Sequence, residues 1–336
     1  MSNPKAVIFG CAGPRLEAEE RDFFRDTDPL GFILFQRNCE TPAQLKALVA
    51  ELRDAVGRDD APVLIDQEGG RVARLKPPHW PSYPAPARIA ALPGEKAKEA
   101  ALVGARLIAD DLARLGITVD CLPVLDLPVA GADAVIGDRA LGDDPDRVSV
   151  LGRAVCEGLL AGGVLPVVKH IPGHGRATLD SHLALPMVDA PRSLLAKTDF
   201  APFRQLRDMP WAMTAHIVYN AIDASRPATL SPMLIREVIR GEIGFDGVLV
   251  SDDLSMQALG GALASRAVAA LKAGCDLVLH CNGRLDEMMA IAAAIGGMSR
   301  EAARRVAAGE KRRQSGLALD RAVLEARFAE LLAGGS

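Results

Sequence analysis

The chain has 336 residues, 49 % of them hydrophobic, which is enough to bury a large core. Its formal net charge is −4 and it carries no basic block, which argues against a nucleic-acid surface. The opening MSNPKAVIFGCAG has too short an apolar run for a secretion signal, and no run is long enough to span a bilayer, so a soluble cytoplasmic protein without a membrane partner is expected.

Short apolar, β-branched runs alternate with helical patterns along the chain. AVIFG (6–10) and GFILF (31–35) read as the first two strands. A helix follows: Thr41 caps it, Pro42 opens it, Gln44 completes a capping box, and Leu45, Leu48, Val49, Leu52 and Val56 form its apolar stripe up to Gly57. PVLID (62–66) is the third strand, and the proline-dense stretch 74–94 reads as a long loop. A second helix spans 94–115, with Gly116 at its end. Further strands are ITVDCLPVLD (117–126), LPVVKH (165–170), WAMTAH (211–216), GVLVSDD (247–253) and DLVLHC (276–281). Helical patterns separate them near 145–161, 191–208, 231–240, 257–273 and 284–295, and the tail from Ser299 reads as two charged amphipathic helices.

Eight strands, several of them nearly continuous apolar runs and most followed by a helix, predict an α/β fold. The expected form is a (β/α)8 TIM barrel of one domain over 1–336, with a helical tail from about 299 to 336. An open doubly wound sheet fits less well, because no G-x-G-x-x-G follows the first strand. The six cysteines, Cys11, Cys39, Cys121, Cys156, Cys275 and Cys281, show no C-x-x-C pair and read as buried free thiols rather than as a zinc site.

A barrel of this kind builds its active site at the C-terminal ends of the strands. Those ends deliver Arg37 and Asn38, Asp66 and Glu68, Asp126, Lys169 and His170, His216, Asp252 and Asp253, and His280 and Asn282. Carboxylates directly after runs such as VLI and VLVS are costly to bury unless paired or used. In GFDGVLVSDDLSM, neighbouring aspartates on a strand point to opposite faces, so one of Asp252 and Asp253 faces the mouth, as a nucleophile, a general base or a metal ligand. Asp253 alternatively caps a helix.

The densest segment is KHIPGHGRATLDSH (169–182). Asp180 lies two residues before His182 and can accept its N–H, fixing the tautomer and raising the basicity of the ring. That makes His182 a candidate general acid/base on a loop loosened by Gly173 and Gly175. His174 reads as structural.

Together K-H-I-P-G-H-G, D-S-H, S-D-D-L-S-M, D-Q-E-G-G-R-V-x-R (66–74) and I-G-D-R (136–139) resemble glycoside hydrolase family 3, and within it the bacterial cytoplasmic β-N-acetylglucosaminidases of cell-wall recycling. The similarity runs from GFILFQRN to AGCDLVLHCN. Isoleucine stands at 171 where phenylalanine is commoner, and Ala140-Leu141 replaces a Ser-aromatic pair. The resemblance implies a retaining exo-acting hydrolase with Asp252 as nucleophile, His182 as acid/base and Asp180 as its dyad partner. It further implies that Asp66, Arg74, Arg139, Lys169 and His170 hold a terminal N-acetylglucosamine, with His216 lining the site. The implied substrate is a small muropeptide or disaccharide, and the implied enzyme is a monomer with no cofactor and no metal.

Three other readings compete. A metal-dependent barrel hydrolase using His170, His174, His182 and Asp252 would want an H-x-H on the first strand, and AVIFGCAG has none. A related phosphorylase would use the same groups with phosphate as acceptor. A non-catalytic sugar-binding protein would not need a proton donor.

Overall fold

The computed structural model describes residues 3–179, 181, 185–313 and 320–333. Eight strands close into a barrel in which every neighbouring pair is parallel. They are β1 (Lys5–Gly10), β2 (Pro29–Leu34), β3 (Val63–Ile65), β4 (Val119–Asp120), β5 (Leu165–Ile171), β6 (Trp211–Thr214), β7 (Val248–Asp253) and β8 (Leu277–His280). They neighbour one another in chain order, and β8 returns to β1.

The strand residues alternate between two cores. Ile8, Ile33, Leu64, Val167, Met213, Val250 and Leu279 fill the barrel interior. Val7, Phe9, Phe32, Leu34, Val63 and Val278 face outward, in one cluster with Leu45, Leu48, Val49 and Leu52 of the surrounding helices. A strand buried on both faces has no polar side to show, which is why these segments read as unbroken apolar runs.

Local signals decide where elements start and stop. The helix Pro42–Val56 forms as expected: the Thr41 hydroxyl accepts from the Gln44 N–H, and Gly57 takes a left-handed conformation at φ 61°. The expected helix over 191–208 divides into Arg192–Lys197 and Phe200–Gln205. Pro202 has no N–H to donate, and its ring would clash with the carbonyl four residues earlier in an unbroken helix. The expected strand over 117–126 pairs only at Val119–Asp120 and touches β5 again through a single bridge between Val124 and Lys169. Pro123 removes a ladder donor between them. The helix expected from 257 starts at Leu263, after Gly260 and Gly261. A helix not anticipated, Ala18–Thr27, buries only Glu20, Phe24 and Thr27 and so shows no apolar stripe.

The stretch after β3 folds back as a hairpin, Gln67–Gly69 against Val72–Ala73, and continues to a short helix at Pro86–Ala90. In the tail, Arg300–Glu310 and Arg321–Ala333 are helices. The last one carries Arg321, paired with Asp110 and Asp111, and Arg327, paired with Glu99, against the helix Gly94–Arg114. Its Phe328 ring lies so close to Gly104 that a Cβ there would stand 3.0 Å from it. Among the described residues, no helix is long and apolar enough to cross a membrane.

Candidate active site

The C-terminal ends of the strands surround a cleft of about 410 Å³. Six of the residues expected at the site line it: Asp66, Arg74, Arg139, Lys169, His170 and Asp252. They come from β3, the hairpin after it, the loop after β4, β5 and β7, so no two of those loops could form the site alone. Asp180 and His182 lie outside the described residues. Glu68, Asp253, Phe35, Met213 and Met256 complete much of the wall.

Charge is organised here as a cage. Asp66 accepts from Lys169 Nζ at 2.9 Å and from Arg74 Nη2 at 3.0 Å. Glu68 accepts from Arg139 Nε and Nη2, both at 2.8 Å, and lies 2.7 Å from Lys169 Nζ. Burial alone would raise both carboxyls, but the surrounding cations overcome it and hold Asp66 and Glu68 below their usual range. The same pairs hold Lys169 and Arg139 charged against burial. Lys169 is 2 % exposed and is nonetheless a fixed cation at the floor of the cleft. Ionised carboxylates accept from hydroxyls, while ammonium and guanidinium groups donate to hydroxyls and carbonyls, which suits a polyhydroxylated ligand.

The hairpin that presents this cage depends on two glycines. Gly69 and Gly70 have φ of 94° and 56°, and a Cβ on Gly69 would meet the Pro84 carbonyl oxygen at 2.4 Å. The Gly70 N–H donates to the Tyr83 carbonyl at 2.9 Å.

Asp126 organises the start of the loop after β5. Its carboxylate accepts from the backbone N–H of His170 at 3.1 Å and of His174 at 2.6 Å, and meets His170 Nδ1 at 2.7 Å. Burial would raise Asp126, but His170 and these donors hold it low, so the carboxylate is ionised and takes the proton on Nδ1 as its hydrogen bond. His170 lines the cleft and can then present Nε2 to a ligand. The β5–β6 ladder shifts register between Lys169 and Ile171, and both Lys169 and His170 line the cleft although they are adjacent in sequence.

The two aspartates of S-D-D differ in their surroundings. The carboxylate of Asp253 accepts from the Ser255 N–H at 3.1 Å, the Ser255 hydroxyl at 2.5 Å and the Cys281 N–H at 3.2 Å. It braces the turn after β7, and the next helix begins only at Leu263. Asp252 accepts the Asp253 N–H at 2.8 Å and lines the cleft. His216 is fully buried and is not in the cleft wall. Its Nε2 meets the Asp253 carbonyl at 3.0 Å and its Nδ1 meets the Thr229 hydroxyl at 2.7 Å. Burial lowers its pKa, so His216 is a neutral brace directly behind Asp252 and Asp253.

The sequence marked Glu68 and Asp126 only as polar residues at strand ends. Their roles depend on partners 71 and 44 residues away in the chain, which no local spacing reveals. Nothing in the local sequence singles out Asp120. It is fully buried beside the cage, accepts from the Gln67 N–H at 2.9 Å, and burial raises its pKa well above the usual value.

Fold and site together define a barrel whose mouth offers a carboxylate beside a cage of paired charges. Residues 5–312 match the glycosyl hydrolase family 3 N-terminal domain. The chain is 42 % identical over 283 residues to a protein named beta-hexosaminidase from Alkalilimnicola ehrlichii, covering 82 % of this chain and 80 % of that one. It is 40 % identical over 293 residues to a beta-hexosaminidase of Pseudomonas aeruginosa, covering 86 % of each. Among solved structures, NagZ from Neisseria gonorrhoeae in complex with N-trifluoroacetyl-D-glucosamine superposes with a TM-score of 0.87 at 33 % identity, covering 99 % of both chains. The chain belongs to glycosyl hydrolase family 3 and is a glycoside hydrolase.

Proposed function

We propose that the chain is a retaining exo-β-N-acetylglucosaminidase that removes a terminal non-reducing N-acetylglucosamine from small peptidoglycan fragments, such as its disaccharide with 1,6-anhydro-N-acetylmuramic acid, with or without an attached peptide. The observation that carries this is the convergence of Asp66, Arg74, Arg139, Lys169 and His170 with Asp252 in one cleft. The names of the relatives and the sugar analogue in the superposed structure support the same substrate class.

In the mechanism we infer, the cage holds the sugar hydroxyls and His170 Nε2 adds a further contact. The Asp252 carboxylate attacks the anomeric carbon while His182, oriented by Asp180, gives its proton to the departing oxygen. A glycosyl–aspartate ester forms and the aglycone leaves. His182 then takes a proton from water as that water attacks the same carbon, freeing Asp252 and returning the original configuration. His216 and Asp253 hold the strand end that carries Asp252.

Six free, buried cysteines suit a reducing compartment, which supports cytoplasmic action. Within this proposal the enzyme acts as a monomer on a small muropeptide or disaccharide, without nucleic acid or membrane. Product analysis on the anhydro-disaccharide, with and without peptide, tests the proposal. Release of free N-acetylglucosamine from both is expected. Release from neither, alongside cleavage of another β-glycoside, would overturn the substrate class.

A further inference from the structure

His174 stands in the loop after β5 and takes no part in the cleft wall. It is 3 % exposed, and its N–H is tied to Asp126 at 2.6 Å. Burial and the neighbouring His170 lower its pKa to about 4, so the ring is neutral at neutral pH. Nε2 meets the Ser181 hydroxyl at 2.9 Å, while Nδ1 has no hydrogen-bond partner among the described residues. Among the described residues, the one side-chain hydrogen bond of this imidazole is therefore directed at Ser181.

Ser181 is itself 2 % exposed, and its carbonyl accepts from the Ala258 N–H at 3.3 Å. The loop leading to it is tied at several points. The Tyr219 hydroxyl donates to the Gly173 carbonyl, Arg176 Nε donates to Asp199 at 2.7 Å, and the Asp133 N–H donates to the Ala177 carbonyl at 2.8 Å. Against that fixed stem, the His174–Ser181 bond is a side-chain link from the start of the loop to the middle residue of D-S-H. Asp180 and His182 are the covalent neighbours of Ser181, each one peptide unit away, so whatever fixes Ser181 limits where both can reach.

We propose that His174 is a positioning residue: its imidazole holds the Ser181 hydroxyl and, through it, sets the approach of the Asp180–His182 pair to the glycosidic oxygen. This rests on His182 being the proton donor. A neutral ring is the suitable holder, because a charged imidazole at this position would compete for the Asp126 carboxylate. Proton transfer demands a donor within hydrogen-bond reach, and a misplacement of 1 Å costs roughly 10²-fold.

The test compares kcat/KM for an N-acetylglucosaminyl disaccharide and for the 4-nitrophenyl glycoside, in His174→Ala, His174→Gln, Ser181→Ala and the His174→Ala/Ser181→Ala double variant, with His182→Ala alongside. A nitrophenolate leaves without a proton, whereas a sugar alkoxide does not. Each single loss should slow the disaccharide roughly 10- to 100-fold and the nitrophenyl glycoside about threefold or less. The double variant should be no worse than either single one, because both remove the same bond. Glutamine carries a terminal amide near the Nε2 position and should restore most of the disaccharide activity. Labelling of Asp252 by a fluorinated sugar with a good leaving group should proceed in all of them, which reports an intact fold.

Equal slowing of both substrates by His174→Ala, or additive losses in the double variant, would overturn the proposal while His182→Ala still discriminates between the substrates. If His182→Ala itself fails to discriminate, the assignment of His182 as the acid falls, and this proposal falls with it.

Discussion

Replacing Glu68 by glutamine asks whether the cage is held by charge or by shape. Glu68 is 3 % exposed and meets three cationic nitrogens, two of Arg139 at 2.8 Å and one of Lys169 at 2.7 Å. Glutamine keeps the length and one acceptor oxygen, but turns an NH₂ donor toward two cations. Lys169 retains Asp66 at 2.9 Å, whereas Arg139 retains, among the described residues, only the Val135 carbonyl at 3.2 Å. Removing one partner of a buried ion pair costs roughly 3–5 kcal/mol, and with one acceptor and one carboxylate left the loss should fall near about 3 kcal/mol. In urea unfolding this appears as a lower midpoint with an unchanged m-value. Because Arg139 and Lys169 lose their fixed geometry, kcat/KM should fall roughly 10²-fold, chiefly through KM. A pH series adds a sign check. Glu68 is held low in the folded state, so its contribution is present above its unfolded value and lost as pH falls through its folded one. The acid limb of the stability curve should therefore be shallower in Glu68→Gln. A loss below about 1 kcal/mol with an unchanged KM would refute the reasoning, because it would mean that packing rather than the buried charge pair holds the cage.

Asp120→Asn should stabilise the fold increasingly as pH rises above the ordinary aspartate range. Burial raises this carboxyl, so the folded state keeps a proton that the unfolded chain releases, and stability falls with pH until the folded carboxyl releases its proton as well, a loss that asparagine does not show. Unfolding at pH 5 and pH 8 checks it, and equal shifts at the two pH values would contradict it. Tyr83→Phe should lower stability by roughly 1.5 kcal/mol and leave KM unchanged. Its hydroxyl donates to Asp111 at 2.6 Å, which is also paired with Arg321 of the last helix, whereas only its backbone carbonyl meets Gly70.

The barrel is legible because its strands are buried on both faces, so GFILF and GVLV carry no polar register to confuse them. The capping box at Thr41–Gln44 was legible for the opposite reason, since it is wholly local. The fourth strand was read too long because Pro123 interrupts pairing without interrupting the apolar run. The helix Ala18–Thr27 was invisible because an acid, Glu20, occupies one of its three buried positions, where it accepts the Ala12 N–H at 2.9 Å. At the site, adjacency on a strand announced that Asp252 and Asp253 would differ. Which one braces the backbone was decided by Ser255 and Cys281, and Cys281 lies on another strand's exit. His216 shows the same limit: its place at the end of an apolar run suggested the cleft wall, while its contacts put it behind the wall. Residue types and order announce which groups are delivered to the mouth, but their pairing is set by the closure of the barrel.

The most direct test of the central claim is covalent trapping at Asp252. The enzyme is incubated with a fluorinated N-acetylglucosaminyl donor bearing a good leaving group, digested and mapped by mass spectrometry, and the first-formed product of ordinary turnover is followed by proton NMR. The expected result is one sugar adduct on the peptide carrying Asp252, located on Asp252 by fragmentation, with the β-anomer released first. An adduct on Asp253, or no adduct together with the α-anomer first, would contradict it.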